Sequence, residues 1–126
     1  MTNENSKRKI GTVLIVDDNT ANLNLISQVF SDEHLEISFA KNGIDAVNLA
    51  KIINFDLAIL DVNLPDISGF QVSEQLRKLQ PACEQIFCTA LNDRVLRDKA
   101  FTAGAIDFIE KPFELASTRM RLKLHM

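Results

Sequence analysis

The sequence predicts an α/β domain: a doubly wound, five-stranded parallel sheet with helices on both faces. Two observations carry this. Five short aliphatic runs alternate with five segments whose apolar residues recur at helical spacing. The strand runs are apolar almost throughout, as strands covered on both faces are, and parallel neighbours require the crossover helices that the alternation supplies.

The elements follow in order. Thr12 to Val16 is a β-branched run closed by Asp17-Asp18-Asn19, and reads as the first strand. From Asn19 the spacing changes, and Asn22, Leu25, Ile26, Val29 and Phe30 repeat as on a helix. Glu36 to Ala40 is the second strand, followed by a turn at Asn42-Gly43. Ala46, Leu49, Ala50 and Ile53 mark one face of the second helix. Leu57 to Leu60 is a third buried strand ending at Asp61, and a loop with Pro65 and Gly69 leads to a helix striped by Val72, Leu76 and Leu79. Gln85 to Thr89 is the fourth strand. Asp93 opens the fourth helix, with Leu96, Ala100 and Ala103 inward and Gly104 as its stop. Ile106 to Ile109 is the fifth strand, and a fifth helix starts at Phe113.

A chain of 126 residues fits one domain, and an apolar content of 46% is enough for its core. Residues 1–10 read as a flexible polar tail and residues 11–126 as the domain. The 14 basic and 17 acidic side chains leave a net charge of −3, which argues against a nucleic-acid surface. No apolar run is long enough to span a bilayer, so no membrane role is expected. Cys83 and Cys88 are too few for a disulfide framework or a metal site, and cytoplasm is the expected compartment.

The chemistry gathers where the strands end. In open parallel sheets, sites form beyond the carboxyl ends, near the switch in strand order. There the first strand presents Asp17 and Asp18, the third Asp61, the fourth Thr89 and the fifth Lys111. A flavodoxin-like order 2-1-3-4-5 makes strands one, three and four neighbours, and a lysine can reach in from strand five. Three carboxylates in one pocket repel each other and favour a hard divalent cation, Mg2+ or Mn2+. An aspartate can attack phosphorus and form an aspartyl phosphate, while metal, lysine and hydroxyl stabilise the charge that spreads over the transferring oxygens. Crowding also predicts that neutralising one carboxylate stabilises the metal-free protein. Singly, each residue has a plainer role: a helix cap for Asp17-Asp18, a turn for Asp61, a strand residue for Thr89, a surface charge for Lys111. A dinucleotide fold is disfavoured, because Asp17-Asp18-Asn19 stands where a glycine-rich turn is needed.

These motifs resemble those of response-regulator receiver domains. Val13 to Asn19 is similar to the family's opening, Leu60 to Pro65 with Gly69-Phe70 to its phosphoacceptor loop, and Thr89-Ala90 and Gly104 to Phe113 to its remaining two motifs. The resemblance runs from about Gly11 to the chain's end. It implies Asp61 as phosphoacceptor, with Asp18 and Asp61 as direct metal ligands. Asp17 then acts largely through water, and the Asn63 backbone carbonyl is a further ligand. Thr89 contacts the phosphoryl oxygens, Lys111 pairs with the phosphoryl group, and the Lys111-Pro112 bond is often cis. Phe108 stands at the switch position, commonly tyrosine, and lacks the hydroxyl. The implied function is phosphorelay signalling. A sensor histidine kinase or histidine phosphotransfer protein donates the group, and the switched domain controls an output domain or partner.

Two other classes compete. A haloacid-dehalogenase-like phosphatase needs a second Asp where this chain has Asn63, so enzyme activity is not expected. A receiver-like interaction platform usually lacks one of the acids or the lysine, and this chain has them all. The last helix has no Gly or Pro stop, so it is expected to continue past Met126 into an output domain, a cyclase or kinase by analogy. One stripe, Phe113, Ala116, Met120 and Leu124, is spaced to face the sheet. A second, Leu115, Arg119, Leu122 and Met126, is spaced for pairing, with a homodimer through the fourth helix, fifth strand and fifth helix.

Overall fold

A computed structural model describes residues 10–31, 34–90 and 94–125. The expected tail before Ile10, the start of the fourth helix at Asp93 and the Met126 end of the second stripe lie outside the described residues. The elements are β1 (Thr12–Val16), α1 (Thr20–Val29), β2 (Glu36–Ala40), α2 (Gly43–Ala50), β3 (Leu57–Asp61), α3 (Gly69–Leu79), β4 (Glu84–Ala90), α4 (Arg94–Thr102), β5 (Asp107–Lys111) and α5 (Leu115–Lys123). The strands form one sheet in the order β2-β1-β3-β4-β5, and every pairing is parallel. The expected fold is therefore the observed one.

Strand alternation divides the core in two. Leu14, Val16, Ala58, Leu60, Phe87 and Phe108 belong to one cluster, together with Ala46 and Ala50 of α2, Val72 and Leu76 of α3 and Ala100 of α4. Val13, Ile15, Leu57, Ile59, Ile86, Cys88 and Ile109 belong to the other, with Leu23, Ile26 and Val29 of α1 and Leu122 of α5. Every residue of β3 is buried, which is why its sequence shows no polar alternation. In α1 the inward residues are Leu23, Ile26 and Val29, while Leu25 is only half-buried. β5 begins and ends later than its apolar run, because backbone pairing sets a strand's bounds. Glu110 and Lys111 are charged, yet they stand opposite Thr89 and Ala90 of β4.

The ends of the elements are held by specific polar groups. The Asn19 side chain caps α1 by accepting from the Asn22 N–H at 3.2 Å. Ser68 and Gln71 form a reciprocal capping box at the start of α3, where loss of a cap costs about 1 kcal/mol. Asp66 accepts from the Gly43 and Ile44 N–H groups, both at 2.8 Å, and so ties the β3–α3 loop to the start of α2. The buried Gln80 amide accepts from the Phe55 N–H at 2.7 Å and donates to the carbonyls of Ala50 at 2.8 Å and Ile53 at 2.6 Å. Gly104 closes α4 at φ +94°, a left-handed conformation that favours glycine, as its expected stop role requires.

The first stripe expected on α5 fails at Met120 and Leu124, and Leu122 of the second stripe faces inward instead. Leu122 is fully buried and Thr118 nearly so, whereas Met120 is 70% and Leu124 74% exposed. Asp107 supplies the physical reason. Its buried carboxylate needs partners, and it receives Arg121 Nη1 at 3.0 Å and His125 Nε2 at 2.9 Å. Burial raises the Asp107 pKa, but the His125 contact, the Phe108 N–H and Arg121 together outweigh it and hold the group below the ordinary value. These contacts hold α5 with Leu122 inward, so Leu122 is not part of a free seam. Leu122→Ala is expected to cost about 2–5 kcal/mol, and Leu124→Ala less than about 0.5 kcal/mol, by urea denaturation.

Candidate functional site

The site stands at the carboxyl edge of the sheet. Asp17 directly follows β1, and its backbone N–H donates to the Ala40 carbonyl at the end of β2, at 3.0 Å. Asp61 is the last residue of β3 and Lys111 the last of β5. By alternation Asp17, Asp61 and Lys111 fall on the α1–α5 face of the sheet. Acidic oxygens of Asp17, Asp18 and Asp61 come within 4.8 Å of one another. Lys111 Nζ lies 3.0 Å from Asp17 Oδ2 and 2.9 Å from Asp61 Oδ2. Lys111 reaches over β4 to do this, and the acid side chains cover the rest of the two strand spacings, about 9–10 Å, between β5 and β3.

The surrounding backbone fixes the acids. Asp17 Oδ1 accepts from the Asn19 N–H at 2.9 Å, and Asp61 Oδ1 from the Asn63 N–H at 3.2 Å. A Cβ on Gly69 would lie 2.2 Å from the Asp61 carbonyl oxygen, so α3 starts against the backbone of the acid itself, where only glycine fits. Gly69 N–H also donates to the Val62 carbonyl at 2.8 Å, closing the loop that carries Asn63. Asp18, Asn22, Leu25, Asp61, Asn63, Lys111, Pro112 and Phe113 line an open cleft of about 650 Å3. The Lys111-Pro112 bond in its wall is cis.

Charge is unevenly compensated. Asp17 and Asp61 are buried and Asp18 is exposed. Burial pushes the Asp61 carboxyl above its ordinary value, Lys111 opposes this, and the Asp17 charge adds to it. Burial depresses Lys111, yet its hydrogen bonds and attraction to Asp61 and Asp17 prevail and hold its pKa above the usual range. The lysine therefore stays protonated and sets one positive charge against three carboxyl groups. The remaining oxygens are hard, anionic and open to the cleft, a donor set that fits a divalent cation.

Thr89 is buried near the end of β4, and its Oγ1 has no hydrogen-bond partner among the described residues. An unmatched buried hydroxyl costs about 1–3 kcal/mol, and here it stands one residue beyond Cys88, which is registered with Asp61. Alternation sends Thr89 towards the α4 face, the face that also holds Phe108. Phe108 is buried there, edge-on to Phe101 at 5.4 Å, with the Arg97 guanidinium 4.5 Å from its ring centre. Phe108 thus lies apart from the acids and is not part of the cleft wall.

Asp17, Asp18, Asp61 and Lys111 thus meet as their positions after the strands imply. The sequence reading missed two contributors. Asn22 donates from Nδ2 to Asp17 Oδ2 at 3.2 Å, and Asp66 anchors the loop. Asn22 was legible only as one polar residue in the helical repeat. Its spacing of five from Asp17, across a cap, was the available signal.

The family model described as the response regulator receiver domain matches residues 13–123. A cyclic di-GMP phosphodiesterase of Thermotoga maritima is 35% identical, over 88% of this chain and 30% of the relative. The chemotaxis protein CheY of Halobacterium salinarum is 30% identical, over 83% of this chain and 88% of the relative. Among solved structures, a CheY-like response regulator receiver domain protein from Methanospirillum hungatei superposes with a TM-score of 0.81 at 28% identity, covering 92% of this chain and 93% of the other. The chain thus spans under a third of the phosphodiesterase and most of the chemotaxis protein.

The raised Asp61 pKa has a sign that can be checked. A carboxyl whose folded pKa lies above its unfolded value destabilises the fold once ionised. Stability is lost as pH rises from the ordinary value of 3.8 through the folded pKa. Metal-free Asp61→Asn is therefore expected to melt about 2 °C or more above the parent at neutral pH. The gap should close as pH falls towards the ordinary carboxylate range. Thermal melts of both proteins with chelator, across pH, measure it.

Proposed function

This chain belongs to the response regulator receiver domain family, and from that premise we propose that Asp61 accepts a phosphoryl group in a divalent-cation-dependent reaction. The observation that carries the reading is the meeting of three carboxylates within 4.8 Å, with the Lys111 ammonium 2.9 Å from Asp61. In the proposed step an Asp61 carboxylate oxygen attacks phosphorus. The O–P bond forms as the P–N bond of a donor phosphohistidine breaks, and the imidazole nitrogen leaves with the electron pair. The donor is a histidine kinase or a histidine phosphotransfer protein.

Asp18 and Asp61 would hold Mg2+ or Mn2+, with the Asn63 carbonyl as a further ligand and Asp17 acting largely through water. The bound ion would supply positive charge against the transferring oxygens. Burial of Asp17 and exposure of Asp18 support that division. Lys111 then exchanges carboxylate oxygens for phosphoryl oxygens, and the unpartnered Thr89 hydroxyl gains an acceptor. As Thr89 moves, Phe108 repacks. Without a hydroxyl, its anchoring falls to Phe101 and to Arg97, which also pairs with Glu110 at 3.6 Å. The altered α4, β5 and α5 surface would be read by an output domain or partner in the cytoplasm. A homodimer through that surface would use exposed Val95, Phe101, Met120 and Leu124 rather than the buried Leu122.

The test is intact mass after incubation with Mg2+ and a small acyl phosphate. The parent is expected to gain one hydroxylamine-sensitive phosphoryl group, and Asp61→Asn none. Lys111→Ala should retain Mg2+ affinity yet lose the phosphorylation-dependent amide shifts around Phe108 in NMR spectra, and Thr89→Ala should weaken them. Equal labelling of parent and Asp61→Asn would refute the assignment. A folded parent that takes up no phosphoryl group would favour an interaction platform.

A further inference from the structure

Asp17 is 1% exposed, so solvent cannot readily replace a donor that it loses. Its Oδ1 takes the Asn19 N–H at 2.9 Å, and its Oδ2 takes both Lys111 Nζ at 3.0 Å and Asn22 Nδ2 at 3.2 Å. Two of these donors come from the cap and first turn of α1, and the third from the far side of the sheet. Asn22 is itself fixed, because its backbone N–H is held by the Asn19 side chain at 3.2 Å and the Asn19 carbonyl at 3.1 Å. The first turn of α1 carries no acidic residue, so its positive end faces Asp17 uncompensated by its own side chains. Asn22 also lines the cleft beside Asp18 and Asp61.

We propose that Asn22 is a positioning residue of the cation site, holding the Asp17 carboxylate in place for the metal and keeping it paired when Lys111 leaves. This rests on the phosphoacceptor reading above and adds a residue to it. The chemistry of an amide suits the task. An ammonium or guanidinium at position 22 would compete with the cation for Asp17, and a carboxylate would add a fourth charge to a crowded site. A neutral N–H donor orients the oxygen and does neither. Lys111 cannot do this alone, since in that reading it turns to the phosphoryl group when Asp17 most needs a partner.

The experiment is calorimetric titration of the chelator-treated chain with Mg2+ alone, with circular dichroism to establish folding. Asn22→Leu keeps the size and suits the helix while removing the donor. It is expected to bind Mg2+ roughly tenfold more weakly, the lower end of the range for partners of metal ligands. In an Asp17→Asn background the same change should have no further effect, because Asn22 acts through Asp17. A generally structural role would lower affinity equally in both backgrounds, and that outcome overturns the proposal. So does a folded Asn22→Leu with parental affinity. Asn22→Ala serves in the same cycle should the leucine unfold the domain. A parent that binds no Mg2+ overturns the metal reading and this inference with it, whereas parental binding indifferent to Asn22 overturns the inference alone.

Discussion

The Lys111 ammonium between Asp17 and Asp61 is the contact on which the carboxyl edge depends. Two buried carboxylates so close would each favour protonation without a counter-charge. One lysine meets both, at 3.0 Å and 2.9 Å, and leaves the third acid, Asp18, to the solvent. The balance is partial, because Asp61 still has a raised pKa. The single lysine thus leaves the acidic cluster short of full compensation, whereas the same acids with no counter-charge would strain the fold.

The same strand joins this site to the opposite face. Lys111 ends β5 on the α1–α5 side, while Phe108, three residues earlier, points to the α4 side. Thr89 on the neighbouring strand shares the Phe108 face. A change of partner at the carboxyl edge therefore has a short route through β4 and β5 to the surface near α4. At its other end β5 begins with Asp107, whose contacts with Arg121 and His125 set α5. One five-residue strand thus carries the charge at the site, the aromatic ring and the anchor of the last helix.

Legibility followed the physics of each element. β1 and β3 were readable because burial on both faces imposes continuous apolar runs, and the acids and lysine because a parallel sheet gathers its strand ends at one edge. The end of β5 was not, since the pairing of Glu110 and Lys111 with β4 leaves no mark in their polarity. Met120 and Leu124 were misjudged because spacing weighs them above Thr118, whereas the contacts of buried Asp107 with Arg121 and His125 hold the helix with Leu122 inward.

By itself the sequence determined the fold class, the order of elements and the residue types at the carboxyl edge, because periodicity and strand-end chemistry are local properties. Only the tertiary structure decided which oxygen meets which donor. It bridged Asp17 and Asp61 through Lys111, left the Thr89 hydroxyl without a partner among the described residues and set Asn22 against Asp17. It also turned Leu122 inward. Those outcomes depend on distances between residues far apart in the chain, and a one-dimensional pattern carries no information about such distances until the sheet brings them together.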